Sequence, residues 1–305
     1  MAVRLPESIR VLERGWLSSN NILLRGDEGC VLIDSGYHSH SAQTLALVQH
    51  ALQGQALALL VNTHIHSDHI GGNAALQAAF GVPILVPLAH HDAVAQWDEA
   101  ALLLSIARQQ SPPFRHQGVV HPGDRMQWGG MEWHALAVPG HDMGALAFHN
   151  PEQRVLISGD ALWEDGFGIV FPELLDQPGL GLAAQRQTLE MLARLPVDVV
   201  IPGHGAPFTS VDVALTRAWR RLEAFEAEPA RVARNAIRGC FTFALMELRH
   251  MPLGDVPLYL EQVELYRLAN ARYLGLSPGA LAEWLVRELT RAGVARCEGD
   301  RLLAG

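Results

Sequence analysis

The sequence predicts an α/β fold with a C-terminal, mainly helical appendage, and three observations lead to it. Short apolar runs that read as strands alternate with stretches of helical apolar spacing through roughly the first two hundred residues. After about Thr209 the character changes, and four helical stretches follow with little strand signal between them. Hydrophobic residues make up 49% of the chain and charged residues 18%, enough for a sizeable core and too apolar for wholesale disorder. A length of 305 residues suits one large domain, or a domain of about 200 residues with an appendage, and the division is placed at 1–208 and 209–305.

In chain order, Ile9 to Leu17, Asn21 to Arg25 and Cys30 to Ile33 read as strands, separated by turn signals at Ser18-Ser19-Asn20 and Gly26-Asp27-Glu28-Gly29. The third strand ends in Asp34-Ser35-Gly36, where the aspartate on its own is ordinary turn chemistry. Ser41 to Gln53 carries helical spacing at Leu45, Val48 and Leu52. The apolar run Leu57 to Val61 then reads as a buried strand that stops abruptly at metal-competent side chains. His64, His66, Asp68 and His69 fall within six positions, followed by Gly71 and Gly72. In an extended segment His64, His66 and Asp68 project to one side, and a turn at Asp68 brings His69 round to an adjacent position. Imidazole and carboxylate together suit a borderline divalent ion such as zinc. One histidine here would cap a helix or bond the backbone; three with an aspartate at a strand end read as a ligand cluster.

This His64-x-His66-x-Asp68-His69 stretch resembles the signature of the metallo-β-lactamase-fold hydrolases, and the resemblance continues along the chain. Asp34-Ser35-Gly36 is similar to that superfamily's first motif, whose aspartate braces the metal site from beneath. Val138-Pro139-Gly140-His141, Ser158-Gly159-Asp160 and Pro202-Gly203-His204-Gly205 follow in the order of its later motifs. The resemblance implies an αββα sandwich and two divalent ions, zinc first, with iron or manganese as alternatives. It assigns His64, His66 and His141 to one metal, Asp68, His69 and His204 to the other, and Asp160 to the bridge. It further implies a hydroxide shared by the two cations, whose pKa falls from about 15.7 towards about 7. That hydroxide would attack a thioester, ester or lactone, with Asp68 orienting it. The lactam-cleaving members best known carry Cys or Ser where this chain has Asp160, so antibiotic hydrolysis is disfavoured.

Between and after these motifs, Asn73 to Phe80 reads as a helix and Pro83 to Val86 as a strand. Ala89 to Gln110, with His90, His91 and Leu102-Leu103-Leu104, reads as one helix, lying either over the mouth of a site or in the outer layer. Val119 to Pro139, Ala145 to His149 and Val155 to Ile157 read as strands, Leu182 to Leu195 as a helix and Val197 to Ile201 as a buried strand. The loop holding Trp163, Phe167, Ile169, Val170 and Phe171 is apolar enough to wall a pocket or to fill a core.

The four appended helices are expected at Val211 to Glu226, Ala230 to Leu248, Leu258 to Leu274 and Pro278 to Ala292. Ser277-Pro278 supplies an N-cap followed by proline at the first helical position. Tyr259, Tyr266 and Tyr273, seven apart, would share one helix face. A hairpin around Glu298-Gly299-Asp300 completes an arrangement that looks like the winged-helix module some superfamily hydrolases append. Its Arg287, Arg291, Arg296 and Arg301 are matched by Glu283, Glu288, Glu298 and Asp300, which speaks for packing or a homodimer interface rather than phosphate binding.

Charge and cysteine usage narrow the classes further. The net charge is −9, every basic residue is Arg, and the part before residue 208 holds 10 Arg against 20 Asp or Glu, with 13 against 12 after it. Neither part has the basic balance of a nucleic-acid binder, so a small-molecule substrate is expected. Cys30, Cys240 and Cys297 are scattered and odd in number, which points to a reducing, cytoplasmic setting without disulfides. No apolar run approaches the roughly 20 residues of a membrane span. Other readings kept open are a persulfide-dioxygenase-like mono-iron enzyme, a phosphodiesterase or ribonuclease, and a non-catalytic metal-binding regulator.

Overall fold

A computed structural model describes residues 3–175 and 178–305. The first half contains β1 (Ile9–Leu12), β2 (Asn21–Gly26), β3 (Gly29–Ile33), α1 (Ser41–Leu52), β4 (Leu57–Val61), α2 (Ser67–Ile70), α3 (Asn73–Phe80), β5 (Ile84–Pro87), α4 (His91–Gln96), α5 (Leu104–Ala107) and β6 (Gly118–Val120). Its six strands form one sheet in the order β1 to β6, antiparallel through β3 and parallel from β3 onward. The second half contributes β7 (Arg125–Trp128), β8 (Met131–Ala137), β9 (Leu146–Asn150), β10 (Val155–Gly159), α6 (Phe171–Leu174), α7 (Leu180–Leu192) and β11 (Val199–Pro202). These strands make a second sheet, ordered β11-β10-β9-β8-β7.

Side-chain alternation along each strand builds the layers. Ile22, Leu24, Val31, Ile33 and Val61 face inward and meet Trp133, Phe148, Ile157 and Ile201 of the other sheet. The alternate residues Leu23, Leu32 and Leu60 face outward onto Val48, Leu52 and Leu76 of α1 and α3. On the far side Leu156 and Val200 meet Leu182 and Leu189 of α7. The result is the expected αββα sandwich. Trp133 and Phe148 are fully buried between the sheets; truncating either to Ala should cost about 3–5 kcal/mol.

The C-terminal part holds α8 (Val211–Ala227), α9 (Ala230–Leu248), β12 (His250–Pro252), α10 (Val256–Gln262), α11 (Glu264–Tyr273), α12 (Pro278–Arg291), β13 (Ala295–Glu298) and β14 (Arg301–Ala304). One continuous apolar cluster runs from Leu156 and Val200 through Leu222 and Phe241 to Leu285 and Leu302, so these helices share the core of the adjoining sheet layer. Ser277 caps α12, its Oγ accepting from the Ala280 N–H. Among the described residues no helix is long and apolar enough to cross a membrane.

Three local expectations are corrected. The expected strand Ile9 to Leu17 ends at Leu12, because the chain turns inward there: the Arg14 N–H donates to Asn20 Oδ1, and Asn20 Nδ2 donates to the Pro202 and Gly205 carbonyls. Ala89 to Gln110 is two short helices and a turn, broken where Trp97, Leu103 and Arg108 take positive φ. Leu102 and Leu104 pack on the first sheet's outer layer while Leu103 packs against the C-terminal cluster, two directions that one regular helix does not serve. Leu258 to Leu274 breaks at the extended residue Val263, so the tyrosines lie on two helices: Tyr259 and Tyr266 still sit 6.1 Å apart, whereas the Tyr273 hydroxyl donates to the Glu173 carbonyl. The terminal hairpin forms as expected, and β12 joins it as a third strand that the sequence did not suggest.

Candidate metal centre

Each motif residue sits where a strand of the sandwich ends. β4 carries the chain through Asn62 and Thr63 to His64, and the short helix α2 turns Asp68 and His69 back over the same edge. That turn needs both glycines that follow: a Cβ on Gly71 would strike the His38 backbone nitrogen, and one on Gly72 the Ser35 carbonyl. His141 follows β8 and a glycine at φ 147°, Asp160 ends β10, and His204 follows β11.

The fold brings His64, His66, Asp68, His69, His141, Asp160 and His204 together. Three sets have mutually close donor atoms that could hold a metal ion: His64 with His66 and His141; His64 with His69 and Asp160; and Asp68 with His69 and His204. His66 Nδ1 and His64 Nε2 lie 2.8 and 3.2 Å from His141 Nε2. The Asp160 carboxylate stands between the groups, with Oδ2 3.4 Å from His141 Nε2 and Oδ1 3.5 Å from His69 Nε2. Asp68 Oδ2 lies 3.0 Å from His204 Nε2.

A ring of acceptors behind the histidines decides which nitrogens point inward. His64 Nδ1 faces Thr63 Oγ1 at 3.0 Å, and that hydroxyl itself donates to Asp34, leaving its lone pair to the imidazole. His141 Nδ1 donates to the Ile169 carbonyl at 2.6 Å, and His69 Nδ1 to Asp34 Oδ2 at 2.8 Å. His66 turns its Nε2 towards Asp142, 3.6 Å away, and Asp142 in turn lies 2.9 Å from His90 Nε2. For His64, His66 and His141 the outward nitrogens therefore carry the protons, and the inward ones present bare lone pairs to each other. His69 Nε2 is buried with no hydrogen-bond partner. Facing lone pairs repel, and a cation among them removes the repulsion, so the donor set fits a divalent metal ion.

The electrostatics agree. Burial, then the charges of neighbouring rings, push the His64 imidazolium well below its ordinary range, and burial with His141 pushes His66 down to about 3. These rings stay neutral, the form that ligates. His69 is the exception: burial opposes its charge, yet Asp34, Asp160 and Asp68 together hold it well above the usual imidazole range. Burial likewise opposes the Asp160 charge, but His204 and His69 keep that carboxylate ionised far below its ordinary range.

Thr63, Asp142, His90 and the Ile169 carbonyl were not singled out from the sequence. Asp142 had a weak signal in its adjacency to His141; His90, at 9% exposure, had none. His38, by contrast, lies apart from the cluster and pairs with Glu247. The site opens into a narrow cleft walled by Trp16, Trp163, Ile169, Phe171 and Phe243, with Asp68, Asp160 and His204 also lining it. Trp16 and Trp163 both pack on the His204 ring, 5.2 and 5.4 Å between centroids.

Among curated relatives, a hydroxyacylglutathione hydrolase of Stenotrophomonas maltophilia is 34% identical over 49% of this chain and 48% of that one. Another, from Aeromonas salmonicida, is 31% identical over 59% of this chain and 58% of that one. The chain thus spans about half the length of the curated relatives it matches. Among solved structures, a metallo-beta-lactamase family protein from Thermus thermophilus superposes over 99% of this chain and 100% of its own, with TM-score 0.61 and 20% identity, a likeness of fold. TTHA1623, solved in a di-iron-bound form, is 30% identical and covers 68% of this chain and 98% of its own, with TM-score 0.54. A profile of the metallo-beta-lactamase superfamily matches residues 14–204, most of the chain and every motif residue of the cluster, and the chain belongs to that superfamily.

Proposed function

We propose that this chain is a metal-dependent hydrolase that holds two divalent cations and cleaves a small-molecule thioester, with an ester or lactone as the variant chemistry. The observation that carries the reading is the convergence of imidazole and carboxylate donor sets on either side of the Asp160 carboxylate. His64, His66 and His141 would hold one ion, and Asp68, His69 and His204 the other, with Asp160 shared. Two ions are supported by the di-iron form of TTHA1623, and thioester chemistry by the hydroxyacylglutathione hydrolase relatives. Zinc suits the nitrogen-rich donor set, with iron and manganese as alternatives. What bound cations supply is Lewis acidity, polarising a carbonyl oxygen and acidifying water.

The chain's own residues supply the rest. Trp16, Trp163, Ile169 and Phe171 bind the apolar part of the acyl group and exclude bulk water from the reacting carbon. Asp68, lining the cleft and 14% exposed, is placed to take the proton of the attacking water and pass it to the leaving group. Asp34, Thr63, Asp142 and the Ile169 carbonyl fix the imidazole tautomers. No side-chain nucleophile is required: Cys30 and Cys240 are buried, and the exposed Cys297 lies on β13, far along the chain from the motif residues.

The test is metal content per chain on protein purified without chelator, followed by thioester and lactone hydrolysis. Two equivalents with turnover, both lost in His66→Ala and Asp160→Ala, is the expected result. One iron with oxygen consumption would replace this reading with the mono-iron dioxygenase one, and full activity in both variants would overturn the site.

A further inference from the structure

Beyond the metal cleft, Trp16, Trp163, Ile169 and Gly239 form a sill shared with a second, open hollow between α9 and α12. That hollow merges, across Arg221, Asn235, Arg238 and Glu288, into a third lined further by Arg231, Arg234, Arg287 and Trp284. A trough lined by arginines therefore leads away from the metal centre.

Its charges are only partly neutralised in place. Arg221 is half-buried, lies over the rings of Phe167 and Phe225 at 5.0 and 5.4 Å, and donates to Asn235 Oδ1 at 3.0 Å. Among the described residues no carboxylate is within ion-pair distance of Arg221 or Arg287, and Arg238 reaches Glu288 only at 3.9 Å. Arg231 and Arg234 share the single carboxylate of Glu228. Arg221 and Arg238 line the same two hollows, and burial, then the charge of Arg238, push the Arg221 guanidinium down to about 10, a cost that a bound anion would offset. Gly239 completes the passage. In the middle of a helix it destabilises by about 0.5–1 kcal/mol relative to Ala, yet a Cβ there would lie 2.9 Å from Ile169 Cδ1, on the sill itself.

We propose that this trough binds a phosphate-bearing carrier arm, placing the acyl end of the same molecule at the metal centre. The inference rests on the hydrolase reading above and names its substrate class as an acyl thioester of a phosphorylated carrier. Guanidinium forks match phosphate oxygens bidentately, several are spaced along the trough where one carboxylate would need a single Arg, and Trp284 offers a planar apolar face at the outer end.

The experiment offers the metal-loaded full chain one acyl group on three carriers: uncharged N-acetylcysteamine, glutathione with its carboxylates, and coenzyme A with its phosphates. The expected result is a preference for the coenzyme A thioester that falls about tenfold or more in Arg221→Gln, through KM more than kcat. Arg238→Gln, on an exposed side chain, gives the same loss if Arg221 proves necessary for folding. Inorganic pyrophosphate, titrated by calorimetry, binds about tenfold more weakly to either variant. Pyrophosphate binding that depends on these arginines sustains the inference even if no thioester is cleaved, which would sink only the hydrolase reading. Equal preference for all carriers with pyrophosphate binding unaltered in both variants overturns it, as does a preference for glutathione, or RNA binding that pyrophosphate fails to displace.

Discussion

Asp34 Oδ2 lies 2.8 Å from His69 Nδ1, with both side chains buried, and Asp34 holds this position at φ 58° on the turn after β3. The same carboxylate accepts from the Thr63 N–H and from Thr63 Oγ1, each at 2.8 Å. One residue thus orients His69 directly and His64 through Thr63.

Asp34→Asn keeps the volume but turns an amide N–H towards His69 Nδ1–H or leaves the Thr63 donors unpaired. Metal affinity should fall about 10–100-fold, the range typical of outer-shell changes, and the metal-free protein should lose a few kcal/mol, about 3–5 as for a broken buried pair. Metal titration and thermal melts of wild type and variant check both; unchanged affinity would remove Asp34 from the site.

Gly203 and Gly205 flank His204 and should respond differently to alanine. A Cβ on Gly203 would run into Asp160 Oδ1 and approach His69 Cε1 to 3.0 Å, whereas nothing lies within 4 Å of a Cβ on Gly205. Gly203→Ala should therefore displace Asp160 and abolish metal binding and activity. Gly205→Ala, at φ 89°, should cost only about 1–3 kcal/mol of backbone strain. Equal metal stoichiometry in the two variants would contradict this geometry.

The histidines set the acid limit of the metal-free protein. His64, His66 and His141 have folded-state pKa values depressed by burial, so the unfolded chain binds more protons as pH falls below about 6.5. Their contribution to stability is complete above that value and is lost as pH drops towards about 3, the lowered value of His66. His69, raised by its three carboxylates against burial, acts in the opposite sense and loses stabilisation as pH rises above about 6.5. Melting temperatures of chelator-treated protein across this range should decline on the acid side, and His69→Gln should remove the alkaline decline.

Thiol reactivity should separate the three cysteines. Cys297 is exposed, Cys30 and Cys240 are buried, and Cys240, which lines the cleft, is pushed up to about 12 by burial and then by Asp68. At about pH 8 a disulfide reagent should modify one thiol per folded chain and all three after denaturation. Because the raised thiol stays protonated in the folded state, its stabilisation is lost as pH climbs from about 8.5 towards about 12. Rapid modification of Cys240 would mean that the cleft is far more open than its walls indicate.

Strand and helix positions were legible where the apolar period was clean. Leu57 to Val61, Asn73 to Phe80 and Ala230 to Leu248 form the predicted elements residue for residue. Legibility failed where neighbours in sequence serve different cores. Leu102, Leu103 and Leu104 look like one helical run, but two of them pack against one sheet and the third against the C-terminal helices, so the run breaks. Val263 breaks an equally regular pattern, and the sequence around it carries no glycine or proline to announce the change.

What the sequence by itself determined is the set of groups at the strand ends: His64, His66, Asp68 and His69 are close together because they are close in the chain, and a buried strand before them points them to one edge. His141, Asp160 and His204 join them because strand ends of a sandwich share an edge. Only the tertiary structure decided what stands behind and beside them. Asp34 with His69, Asp142 with His66 and Ile169 with His141 are partners across separate elements. The arginines of α8, α9 and α12 form a trough only because those three helices pack around it. Counted along the chain, their charges are balanced by nearby acids. Packed in space, several line one groove with too few carboxylates among them, since electrostatic energy depends on distance and burial and not on sequence spacing.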